Sequence, residues 1–172
     1  MKTKILLVAV FVLAASGGAS GADGVRPASR VEVIFVEPEK FTDLKDERSD
    51  SGRARDHLMA EIRGEIEKVA LRYVAEGQHL EIKVTDVDLA GEFEPWLGSQ
   101  FDDIRIMRDV YAPRMELEFR LTGADGKVIS EGKRKLRQLA YMMSSGSPSW
   151  DPLRYDKEML RDWMRREFKR AS

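Results

Sequence analysis

Cysteine is absent from the 172 residues, so no disulfide holds the fold, no thiolate carries chemistry, and no lipid can be attached through an N-terminal cysteine. Histidine is nearly absent, with only His57 and His79 present. A Ser-His-Asp arrangement would have to use one of them, and no G-x-S-x-G elbow accompanies either. Neither sign of charge dominates, at 29 basic against 30 acidic residues, which argues against a nucleic-acid binder and against a polybasic membrane binder. Long apolar runs are lacking too. The run from Ile5 to Ala15 falls well short of the roughly 20 residues needed to cross a bilayer.

The surroundings of that run are informative. Lys2 and Lys4 precede it and SGGASGA follows it, ending at Ala22. A positive start, an apolar middle and small residues at a cleavage point are the layout of a secretory signal peptide. The sequence therefore predicts a signal peptide over 1–22, a flexible lead over 23–30 and a single domain over 31–172, large enough for one core. An exported chain without cysteine fits the bacterial periplasm best. Cleavage would remove two lysines and no acids, leaving the charge near neutral.

Hydrophobic periodicity predicts the elements. Val31, Val33 and Phe35 alternate with Glu32, Ile34 and Val36 in a strand dense in β-branched residues, expected to be buried on both faces and ended by Pro38. FTDLKDERSDSGRARD is too charged for core and predicts a loop with a helix cap near Asp50 or Ser51. Leu58, Ile62, Ile66, Val69 and Tyr73 recur at steps of three and four, predicting a helix over 53–76 that Gly77 terminates, with Gly64 marking a close approach. Leu80, Ile82 and Val84 predict a second strand. Val87 and Leu89 lie in the opposite phase, so a β-bulge is expected near Thr85 and Asp86.

Met115, Leu117, Phe119 and Leu121 define the clearest strand, and Asp125-Gly126 after it predicts a two-residue hairpin turn. That turn sets Arg120 opposite Glu131, Glu118 opposite Lys133 and Glu116 opposite Lys135, three opposite-charge pairs on one face. Met115 then faces Leu136, and Phe119 faces Gly132. Leu153, Met159, Leu160, Trp163, Met164 and Phe168 form the stripe of a final helix, introduced by Asp151-Pro152 and ending in cations that suit its negative pole. The order β-α-β-β-β-α predicts an α+β two-layer sandwich, a four-stranded, mainly antiparallel sheet with both helices on one face.

Two functional classes follow. Asp86, Asp88, Asp102 and Asp103 supply carboxylate oxygens of the kind that hard cations take, and define a candidate site for a metal-dependent hydrolase, although their spacing matches no EF-hand. His57, Glu61 and Glu65 share a helical spacing too, expected to be a solvated face rather than a metal site. No cofactor is implied. The stretch from Gly91 to Asp103 carries Phe93, Trp96, Leu97 and Phe101, more aromatic mass than an ordinary loop holds. Rigid aromatic groups of this kind anchor protein contacts. Glu92, Glu94, Trp96 and Phe101 are accordingly the candidate partner-binding residues, with Trp96 expected to be partly buried beside Phe93 and Phe101. The preferred reading is a non-catalytic binding or envelope-assembly accessory domain whose partner is an envelope protein or a periplasmic ligand.

The segments VEVIFVEPEKFTD, VTDVDLAGEFEPW, DDIRIMRDVYAPRMELEFRL and DWMRREF together resemble the domain-of-unknown-function family numbered 3016, of secreted bacterial proteins. The resemblance runs from about Val31 to Phe168. It implies export and a single domain, and it brings no catalytic or binding residues with it. The element order is also similar to that of two-layer envelope accessory proteins, a likeness of fold class.

Overall fold

A computed structural model describes residues 30–43, 52–98, 100, 104–143 and 150–169. The signal peptide, nearly all of the lead, and the helix cap at Asp50 or Ser51 lie outside the described residues. The main sheet holds β1 (Val31–Phe35), β2 (His79–Asp88), β5 (Arg114–Thr122) and β6 (Val128–Arg137), side by side in that order. β1 runs parallel to β2, whereas β2–β5 and β5–β6 are antiparallel. The sheet is therefore mixed. Helices α1 (Gly52–Ala70) and α2 (Arg154–Phe168) bury their apolar stripes in one core with the inward residues of all four strands. The expected α+β two-layer arrangement is present.

A ladder of charge joins the helices. Lys157 Nζ lies 2.9 Å from Glu61 Oε2, and Arg161 Nη1 lies 2.7 Å from Glu65 Oε1. Both partners advance by four residues, so α1 and α2 run in the same direction. His57 and Glu61 are exposed, as expected of a solvated face, whereas Glu65 is buried in the seam between the two helices. Helix α1 also stops at Ala70, earlier than predicted, and Gly77, with φ +81°, sits in the turn before β2.

Among the described residues nothing lies within 4 Å of a β-carbon built on Gly64. The expected close approach is absent, and this exposed glycine only weakens the helix. Gly64→Ala is expected to raise the unfolding free energy by about 1 kcal/mol through helix propensity. Urea unfolding followed by circular dichroism measures it.

Among the described residues, one face of the sheet carries no helix. That explains the one misreading of β1: Val31 and Val33 are buried, but Glu32 and Val36 face solvent. The open face forms a charge lattice with Glu81, Arg120 and Glu131 in one row and Lys83, Glu118 and Lys133 in the next. A depression of about 500 Å³ lies over these six residues. All six are paired with one another, Lys83 with Glu81, Arg120 with Glu131 and Lys133 with Glu118. The lattice offers a ligand no uncompensated charge.

The predicted hairpin register holds from Met115–Leu136 to Arg120–Glu131, and Phe119 does face Gly132. The turn differs. Gly123 N–H donates to Lys127 C=O and Gly126 N–H to Gly123 C=O, with Gly126 at φ +75°, a three-residue loop rather than the expected two. Such a loop alone would shift the pairing by one residue. Ile129 absorbs the shift as a bulge, because Thr122 pairs with Val128 and Leu121 with Ser130.

Candidate functional site

The predicted bulge in β2 is found at Thr85, between the Val84–Leu117 and Asp86–Glu116 pairs. It turns Val87 into the core and leaves Asp86 and Asp88 on the other side. Both are committed to protein partners. Thr42 donates to Asp86 through its backbone N–H (2.7 Å) and its hydroxyl (2.9 Å), and Arg114 Nε lies 3.3 Å from Asp88 Oδ2. Burial nonetheless pushes the Asp88 carboxyl above its usual range, against the pull of Arg114. Asp102, Asp103 and Phe101 lie outside the described residues. Among the described residues no group of three His, Asp or Glu side chains is placed to hold a metal ion.

The end of β2 is a junction. Phe41 is buried, and after it Asp43 N–H donates to Val87 C=O while Leu89 N–H donates to Asp43 Oδ2 at 3.0 Å. The charged segment expected to be only a surface loop thus contributes a core aromatic and a clip along the end of β2. Asp43 Oδ1 also accepts from Arg105 Nη2 at 2.8 Å, and the same guanidinium donates to Gly91 C=O at 2.7 Å. Gly91 cannot carry a side chain here. Its φ is +82°, and a β-carbon would meet Met107 Sδ at 2.8 Å and Arg105 Cγ at 2.9 Å.

Beyond Gly91 the chain forms a small second sheet, β3 (Glu92–Phe93) against β4 (Arg105–Ile106), with a 3₁₀ turn over Pro95–Leu97. Glu94, expected on a recognition surface, is only 1% exposed. It accepts from Arg108 Nη2 and, at 2.7 Å, from the Tyr111 hydroxyl. That hydrogen bond raises the Tyr111 pKa, with burial and the charge of Glu94 adding to it. Glu94 is a strut inside the loop. Glu92 is half-buried, and its Oε1 accepts from Phe93 N–H at 2.9 Å.

Trp96 reverses the other expectation. It is 68% exposed, because Phe93 is covered by the Arg105 guanidinium, 4.8 Å from the ring centre, rather than by the indole. It is not alone. The five most exposed large hydrophobic side chains among the described residues are Met143 at 88%, Trp150 at 83%, Trp96, Val110 and Leu139. All five lie in the two connections, 89–113 and 138–153, that leave the same end of the sheet, where Asp88, Arg114 and Arg137 pair across three strands.

The two connections are tied together from beneath. Tyr141 Oη donates to Arg108 C=O at 2.7 Å, the Tyr141 and Tyr155 rings meet edge to face at 4.7 Å, and Ala90, Ala112 and Tyr141 form a second small core. Asp156, in the first turn of α2, reaches the same place, and its Oδ1 accepts from Ala90 N–H at 3.2 Å. The sequence carried a signal for it: Asp156 stands three residues after Leu153 and four before Leu160, on the apolar stripe, where a carboxylate is out of place.

The described residues thus form a two-layer α+β domain whose five most exposed large apolar side chains lie on the two connections at one end of the sheet. The chain matches the family described as "Protein of unknown function (DUF3016)" over residues 29–166, and it belongs to that family. No curated protein and no solved structure was found to match it.

Proposed function

We propose that the chain is an exported, non-catalytic binding or envelope-assembly accessory domain that docks an apolar segment of another envelope protein on the loop end of its sheet. The carrying observation is the gathering of Trp96, Val110, Leu139, Met143 and Trp150 on two braced connections. Exposed apolar patches of this kind mark interaction sites on soluble proteins. Trp supplies a large contact area with little rotamer freedom to lose, and Met adapts to differently shaped partners. The signal-peptide layout of residues 1–22 supports an envelope location.

Photo-crosslinking side chains placed singly at Trp96, Met143 and, as a control at the opposite end, Val128 test this in exporting cells. Discrete products from the first two positions and none from Val128 are expected. Equal products from all three, or none from any, would remove the proposal. Trp96→Ala is expected to leave stability within about 0.5 kcal/mol, as for exposed positions generally, and to abolish the crosslink from Met143. A large fall in melting temperature would instead return Trp96 to the core.

A further inference from the structure

We propose that Asp156 is a pH-sensitive latch: its neutral carboxyl holds the connection 89–113 against the start of α2, and its ionisation loosens that connection. The inference rests on the reading of Trp96 and Val110 as contact residues and adds a control to it.

Asp156 is 1% exposed. Its Oδ1 accepts a long bond of 3.2 Å from Ala90 N–H, the carboxyl also draws on its own backbone N–H, and its Oδ2 has no hydrogen-bond partner among the described residues. The groups that face it are the Asp43 carboxylate from the segment after β1, the Arg105 guanidinium from β4 and the Tyr141 phenol from the turn after β6. Arg105 is already bonded to Asp43 and to Gly91 C=O, and among the described residues no cation is bonded to Asp156. An unsatisfied buried hydroxyl costs far less than an unsatisfied buried charge.

Burial accordingly pushes the Asp156 carboxyl up to about 7, against the opposing bonds from Ala90 and from its own backbone N–H and the charge of Arg105. The unfolded value is 3.8. An acid whose pKa is raised on folding favours the packed state fully below its unfolded pKa, and that contribution is lost as the pH rises through the folded value. The window is therefore pH 4 to 7. Above it, the carboxylate is relieved when residues 89–91 separate from α2 and admit water. Those residues lead into the loop that carries Trp96 and Val110.

Hydrogen exchange of the purified protein at pH 5 and pH 8, corrected for chemical exchange rates, tests the latch. Protection of peptides from 89–113 is expected to fall about tenfold or more at pH 8, while the hairpin 114–137 keeps its protection. In Asp156→Asn the 89–113 peptides should show no such change. Equal protection at both pH values in the wild type, or a wild-type response in Asp156→Asn, overturns the proposal. Should the variant fold poorly, carbon-13 spectra of the wild-type aspartates decide. A carboxyl titrating near pH 7 is expected, and titration of every aspartate below pH 5 sinks the latch. Loss of pH-dependent protection with the Trp96 crosslink intact would remove the latch and leave the contact surface standing.

Discussion

Phe119→Ala is expected to lower the unfolding free energy by about 3 to 5 kcal/mol, the range for truncating a buried aromatic. Phe119 is buried on the helix-covered face, where Phe168 and Trp163 meet its ring edge-on at 5.5 and 6.0 Å. The Arg134 guanidinium lies 5.2 Å from the ring centre, fixed by two bonds to Glu167 at 2.8 and 2.7 Å. Collapse into the void is hindered. Gly132 opposite offers no side chain, and α2 is held in place by its charge ladder to α1. Glu118→Ala, one residue away on the open face, removes a solvent-washed pair with Lys133 and should cost under about 1 kcal/mol. Equal losses from the two substitutions in urea titrations would contradict the facing of β5.

Asp43→Ala is expected to cost about 3 kcal/mol, and the mechanism is different. The carboxylate satisfies Leu89 N–H and the Arg105 guanidinium together, and both charged side chains are largely shielded from water. Truncation leaves a buried cation with no acid and a backbone donor with no acceptor. Breaking such a pair costs far more than the intact pair contributes. Asp43→Ala together with Arg105→Met should recover much of the loss, since the stranded charge is then gone. A double variant no more stable than Asp43→Ala would show that the clip to Leu89, rather than the charge, dominates.

The hairpin and the β2 bulge were legible in the sequence because alternation is a strict code. A one-residue slip in β5–β6 would set Glu118 opposite Gly132 or Arg134 and bring the apolar row of one strand onto the charged face of the other, so both faces specified the same register. The α2 stripe was legible for a similar reason. The site was less so. Which carboxylates become buried depends on partners distant in sequence: Glu94 meets Tyr111, Asp43 meets Arg105, and Asp156 meets Ala90, 66 residues away. No local pattern encodes those meetings. Trp96 was misjudged because neighbouring aromatics suggest mutual packing, whereas an arginine on the adjoining strand took the place beside Phe93.

The bulge at Ile129 has a consequence beyond register. β6 is an outer strand of ten residues, and among the described residues its second edge is unpaired in the main sheet. A long flat strand in that position is a template on which another copy of the chain could add itself and begin an aggregate. The extra residue breaks the regular spacing of hydrogen-bonding groups along that edge and increases its local twist. Lys133, Arg134 and Lys135 occupy the straight remainder, and antiparallel addition of an identical strand there would bring cation against cation. The irregularity that repairs a three-residue turn thus also caps the sheet against endless growth.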